Sequence, residues 1–591
     1  MKKVVTLLIL ALIMSVSLYA QTPKDTVNVE SDIEEGNLNV AVQTAIDAGT
    51  LSNTVFKLEP YGYYVLTGTI VTPQGEKLEI VAPKPTSEMA PPQIVWTSGG
   101  GVNTDYNFDC YGDVTMKNIW IRYADVSGLQ VGSCLNIRDD ELANTSGKGE
   151  VAEFDNVIFD YAPCPANNSS GAVQSAAKQF HGTFTNCYFK NCIDEHLRYY
   201  GRALSFPYQS TEWHNTLVYF ENCTFANMGY VLMQEGNEYS DNVHFNHCTF
   251  YNIMEFALES GWWYKMSVTN SLFVNTFMYG DIPAQSAGGD PNGATVTVDS
   301  IANFGFEVPF GEQDRRILFA NNSYCTEPWL VAWMHDNPYS VEKRKNREGD
   351  LEPVPQPMLN EHTLVFFDSL LENGEKAFPY MNRADLYDGL IPGFVAPPIN
   401  MDSLKIYLQY KWDTNENANW AFQIDDGYLQ TWPLPEDLSY TNDTLKTAAM
   451  SEFPLGDLYH WWPAEYEQWA AQAQDESDRI FGWLENGVDP TTVNVDYNTN
   501  NALPMEFVLE QNYPNPFNPT TQINYSIPAN SHVTLKVYNT LGQEIATLFD
   551  GTKKAGNYQV TFDGSALSSG VYFYRLQSDN VTLTKKFALM K

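Results

Sequence analysis

The sequence predicts an all-β chain: a parallel solenoid with covered ends, followed by a small immunoglobulin-like β-sandwich. Three observations carry this reading. An eight-residue phrase recurs as FTNCYFKN at 184–191, FENCTFAN at 220–227, FNHCTFYN at 245–252 and VTNSLFVN at 268–275. Its central residues are closely spaced, 25 apart from Asn222 to His247 (247 − 222) and 23 apart from His247 to Asn270 (270 − 247), which suits one supersecondary unit repeated along an axis. Residues 504–591 instead alternate apolar and polar residues between turn signals, the pattern of a compact antiparallel domain.

Each phrase has a physical logic. Period-two alternation puts Phe184, Cys187 and Phe189 on the inner side of two short strands. Asn186 and Asn191 fall at the corners, where Asn tolerates the left-handed backbone and bonds locally. Fainter copies start at Met116, Phe154 and Phe319, so the corner column reads Asn118, Asn156, Asn186, Asn222, His247, Asn270, Asn321. Stacked about 4.8 Å apart, like residues form rows, including an inner row of Cys187, Cys223, Cys248 and Ser271. An antiparallel sandwich with coincidental Asn turns is the competing arrangement, and the regular period disfavours it. The pattern resembles the right-handed parallel β-helix of the pectate-lyase-like group over roughly residues 50 to 330.

The whole chain sets bounds. At 591 residues it exceeds one ordinary compact core, although a solenoid grows without that limit. A net charge of −38 argues against nucleic acid or anionic lipid as a partner. Residues 1–20 join Lys2 and Lys3 to an apolar run ending at Ala20, a secretory signal peptide with cleavage expected before Gln21. No other stretch is long and apolar enough to span a membrane, so the mature chain is expected to lack a transmembrane segment. Eight cysteines in so long a chain do not make a disulfide scaffold, and the spacing of Cys187, Cys223 and Cys248 is not that of a zinc ribbon. Cys110, Cys134, Cys164, Cys192 and Cys325 could include a bridge whose pairing the sequence does not give.

In chain order, the solenoid is expected over 21–336. A cap helix near 37–48 carries Leu38, Val40, Val42 and Ile46 inward, with Gly49 as its stop. Such a cap covers the first rung's apolar face and unpaired edge. Inserted loops at 138–150 and 280–300 are candidate walls of a groove. Residues 337–487 read as a loop-rich cover with an amphipathic helix near 464–484, its apolar members Tyr466, Trp469, Ala473, Ile480 and Trp483. Residues 488–503 read as a linker. In 504–591, seven Lys and Arg balance six Asp and Glu, so the negative charge lies upstream. The phrases NYPNPFNPTTQINYSIP, YNTLGQEIATL, SSGVYFYRL and KKFALMK resemble the C-terminal sorting domain of bacterial type IX secretion cargo. That resemblance implies a route through the periplasm, type IX machinery as the partner of 504–591, and release or attachment outside the cell.

No motif identifies an active site. Resemblance to pectate-lyase-like enzymes implies polysaccharide cleavage, although many such solenoids only bind or scaffold. The best local candidate follows the second Asn of three rungs. There, counting predicts a stacked polar column of Arg198 or Tyr199 with Gln234 and Glu259, flanked by His196, Arg202, Trp262 and Trp263. Aromatics of this kind stack on sugars while polar groups hold hydroxyls. A lyase needs a cation for the uronate carboxylate, a base and an acid, for which Arg198, His196 and Tyr199 are chemically adequate. The polar outer side of any solenoid explains the same residues without function. A hydrolase pair of Glu235 and Glu259 is weaker, because the two are offset by one residue and should face opposite sides. Calcium is the one cofactor with any signal: Asp413, Asn415 and Asn417 alternate as in a calcium loop, but Ala418 replaces its Gly and Ile424 its Glu. The sequence thus predicts a secreted or surface-attached β-helix that binds or cleaves extracellular polysaccharide, with a non-catalytic adhesin or scaffold as the alternative. No Ser/His, Cys/His or HExxH motif supports a protease.

Overall fold

The computed structural model describes residues 24–96, 106–122, 133–139, 150–160, 171–192, 201–206, 214–233, 239–254, 256–259, 263–278, 293–303, 308–336, 355–398, 401–413, 431–491 and most of 508–589. Residues 1–489 form one compact unit and 490–591 a second.

The first unit is a parallel β-helix. Each copy of the repeat supplies two strands joined by one corner residue, for example His181–Thr185 and Tyr188–Lys190 about Asn186. The corner residues Asn118, Asn156, Asn186, Asn222, His247, Asn270 and Asn321 all have φ between 50° and 60°. That left-handed conformation is costly for most side chains and mild for Asn. The second-corner residues Asn191, Asn227, Asn252 and Asn275 share it, at φ 54° to 58°. Strands pair in register with the coil above and below, so Phe154 meets Phe184, which meets Phe220, which meets Phe245. A third wall is an eight-stranded parallel sheet among the described residues, running from Ile70–Thr72 to Val296–Thr297.

The lumen is filled by these rows. Phe154, Phe184, Phe220 and Phe245 stack with ring centroids 5.0, 4.5 and 4.9 Å apart. Phe159, Phe189, Phe225, Phe250 and Phe273 form a second stack at 4.7, 5.3, 5.0 and 4.2 Å. Burying each ring contributes about 1.5–3 kcal/mol of transfer free energy, and offset stacking adds to it. Cys187, Cys223, Cys248 and Ser271 are fully buried between the stacks. All seven described cysteines are free thiols, so none of Cys110, Cys134, Cys192 and Cys325 bridges another described cysteine. Cys164 lies outside the described residues.

Helix Asn37–Asp47 closes the first coil with Leu38, Val42 and Ala45 buried, and Gly49 ends it at φ 64°. Val40, expected inward, is 59% exposed, because the helix rotates to bury Ala45 instead. Asp32 anchors the helix entry by accepting from the backbone N–H of Glu34, Glu35, Gly36 and Asn37.

The solenoid runs past the boundary expected at 336. Strand Met381–Asp388 pairs in parallel with Arg316–Cys325 and turns at Asp385, φ 49°, opposite Asn321. This last rung returns after an excursion containing helices Pro328–Asp336 and Glu361–Asp368. The helix expected near 464–484 is two helices, Pro463–Ala470 and Ala473–Asn486, interrupted at Ala471 and Gln472. Trp469, Ile480, Trp483 and Leu484 are buried and Tyr466 is half-buried.

The second unit is a β-sandwich of two antiparallel sheets. One holds Val508–Leu509, Thr520–Ile527 and Gly556–Asp563; the other holds Glu544–Lys553, Ser531–Tyr538, Gly570–Ser578 and Val581–Leu589. Ile523, Tyr525, Val533, Leu535, Tyr574 and Phe587 face one another in its core.

Candidate functional site

The corner ladder has two environments on its outer edge. From Asn222 onward, a strap at residues 448–458 lies along it. Asn321 Nδ2 donates to the Ala448 carbonyl at 2.9 Å, Asn270 Oδ1 accepts from the Met450 N–H at 2.8 Å, and Asn222 Oδ1 accepts from the Leu458 N–H at 3.2 Å. Asp457, fully buried at its side chain, accepts from the Thr224 hydroxyl at 2.6 Å. Helix Ala473–Asn486 adds Glu476, whose carboxylate lies 3.2 Å from His247 Nε2 with both side chains fully buried. Asn246 and Trp469 donate to the same oxygen at 3.1 and 3.0 Å. Burial alone would raise the Glu476 carboxyl, but the electrostatic pull of His247 and these donors outweigh it and hold it below the usual range.

Before Asn222 the outer face of the strands preceding the corner is open. A groove of about 370 Å³ lies there, lined by Lys117, Glu153, Asp155, His181, Thr183, Thr185, Asn186, Leu217 and Glu221, with Tyr466 from helix Pro463–Ala470. Its floor is two register rows. Lys117, Asp155, Thr185 and Glu221 are consecutive partners in one; Glu153, Thr183 and Tyr219 continue in the other. Phe481 covers this outer face at Leu217 and Tyr219 and meets His244 edge-on at 4.9 Å. The groove is therefore a step where the cover ends. Asp155 accepts from Asn186 at 2.9 Å and Glu153 from Thr115 at 3.0 Å. Burial raises the Glu221 carboxyl despite bonds from Tyr219 and Asn246, and lowers the His181 imidazole. Hydroxyls, carboxylates and one aromatic ring around an open floor can hold a hydroxyl-rich ligand.

The eight-stranded wall carries the column expected from the second corners, with a different register. Glu259 pairs with Met233, not Gln234, and Met233 pairs with Ser205. The register row is Asp109, Asn136, Gln174, Ser205, Met233, Glu259 and Thr297. Counting fails because the corner-to-strand interval varies: it is short from Asn227 to Met233, one position longer from Asn252 to Glu259, and far longer from Asn191 to Ser205. His196, Arg198, Tyr199, Gln234, Glu235 and Trp262 lie outside the described residues, as do Asn415, Asn417, Ala418 and Ile424 of the calcium-like segment. Asp413 ends helix Met401–Asp413.

Arg202 and Trp263 are both fully buried. Trp263 points into the lumen core, so its ring cannot stack on a sugar outside the wall. Arg202 pairs with Gly171, where an added Cβ would lie 2.8 Å from the Arg202 carbonyl, and its guanidinium sits 5.6 Å from the Tyr230 ring centre. Tyr466 is legible in the sequence only as an apolar helix position, and Asp155 and Thr185 only as neighbours of corner residues. What marks them is adjacency in the stacked register. Among the described residues no group of three or more His, Cys, Asp or Glu could hold a metal, and no helix is long and apolar enough to cross a membrane.

Residues 511–590 match the family of secretion system C-terminal sorting domains. No curated protein matches the chain.

Proposed function

Because residues 511–590 are a type IX secretion sorting domain, we propose that the signal at 1–20 sends the chain to the periplasm and the tail then carries it to the exterior. Outside the cell the solenoid binds polysaccharide and is released or held at the surface. The observation that supports this is the open polar groove ending at Tyr466, beside the corners that the protein's own strap covers. Binding fits better than cleavage of a uronic-acid polymer, since the basic side chains described at the eight-stranded wall are engaged. Arg138 pairs with Asp109 and stacks over Tyr111, and Arg202 lies beneath Tyr230. A lyase acting through His196, Arg198 and Tyr199 is the outcome the test must exclude.

Two measurements check the reading. Secreted protein incubated with uronans should release no unsaturated product by absorbance, yet be retained by at least one polysaccharide; product formation would establish the lyase instead. A chain ending at Asn501 should stay within the cell envelope, and its efficient arrival outside would overturn the role of the tail.

A further inference from the structure

We propose that the open part of the corner ladder takes a neutral, hydroxyl-rich glycan and disfavours a uronate polymer, a proposal that rests on the carbohydrate reading above. The protein shows what this ladder binds, because its own strap occupies the rest of it. Where the corner residue is Asn222, Asn270 or Asn321, the partner is a neutral backbone amide of Leu458, Met450 or Ala448. Where the corner is His247, the ring meets the Gly456 carbonyl at 3.3 Å on one side and the Glu476 carboxylate at 3.2 Å on the other. At these four corners the strap itself offers neutral backbone groups, and a carboxylate from the cover is added only at the ring. The corner that lines the groove is Asn186, a neutral amide that donates to Asp155.

The floor of the groove points the same way. Glu153, Asp155 and Glu221 line it against Lys117 and His181, whose imidazole burial pushes toward the neutral form, with Lys77 at 3.6 Å from Glu153. A chain of carboxylates laid there would meet like charge, and the molecule's net charge of −38 adds to the repulsion. Glucose-like rings meet acceptors for their hydroxyls at Asp155 and Glu153, donors or acceptors at Thr183 and Thr185, and a ring face at Tyr466. The Tyr466 ring, beside Asn186 in the lining, forms the end wall.

The test is native electrophoresis of the full-length secreted chain through gels containing hydroxyethylcellulose or polygalacturonate. Retardation should be stronger in the neutral gel. Tyr466→Ala should weaken it about tenfold, the scale of losing one aromatic anchor. Thr183→Tyr, which fills the groove from the strand side without touching the cover, should do the same. Stronger retardation by polygalacturonate overturns the proposal. Retardation unchanged by both variants also overturns it while leaving carbohydrate binding standing. No retardation in any gel removes the carbohydrate reading and the proposal together.

Discussion

The coils at Asn118, Asn156 and Asn186 and those from Asn222 to Asn321 are built alike inside and differently outside. Both share the two phenylalanine stacks, with Phe154 and Phe184 at 5.0 Å in the first group and Phe220 and Phe245 at 4.9 Å in the second. Outside, the first group presents Asp155 and Thr185 to a groove, whereas in the second Asn246 is bonded to Glu476 and Asn270 to the strap. The repeat therefore settles the lumen, and a segment remote in sequence settles the surface. The ligand-sized space lies at the boundary between the two regimes.

Four variants would break or sharpen this comparison. Phe159→Ala and Phe250→Ala should each cost about 3–5 kcal/mol by denaturant unfolding, similarly in both groups because the lumen is the same; a large difference would end the claim of a common interior. Asn270→Gly keeps the left-handed corner but orphans the buried Met450 N–H, costing about 1–3 kcal/mol, whereas Asn186→Gly at the half-exposed groove should cost less than about 1 kcal/mol. Equal losses would mean the strap adds nothing.

Two carboxyls sharpen it further through pH. Glu476, on the covering helix Ala473–Asn486, titrates below its unfolded value of 4.5, so its contribution is present above that pH and lost as pH falls through the folded value. Glu476→Gln should flatten the acid limb of melting temperature against pH. Glu150, beside the open coils, behaves oppositely. Burial, then its hydrogen bond and repulsion with Asp139 and the nearby charge of Asp113, raise it from 4.5 to about 8. The folded state then holds the extra proton, and stability falls as pH rises through that window. Glu150→Gln should raise the melting temperature near pH 8 and leave it unchanged near pH 4, the smallest of these effects.

The interior is legible in the sequence because its information is local: Phe, Asn and Cys at fixed offsets imply strand, corner and row wherever the phrase occurs. The tail is legible for a similar reason. The surface is not. His247, the single ring among the asparagines, signals a different neighbour without naming Glu476, 229 residues away. The eight-stranded wall is misregistered by counting because loops between corner and strand differ in length, and period-two arithmetic does not survive such insertions. The rung at Met381–Asp388 escapes the pattern because Arg383 and Asp385 replace the Phe and Asn of the phrase.

That late rung has a consequence for how the molecule assembles. Cys248 finds Ser271 on the next coil only 23 residues later, yet Ser323 must wait 64 residues for Tyr387. Loop closure grows only logarithmically, about 0.6 kcal/mol per doubling, so the delay costs little at equilibrium. Amide exchange should open the terminal plank at Met381–Asp388 before the coils it lies on.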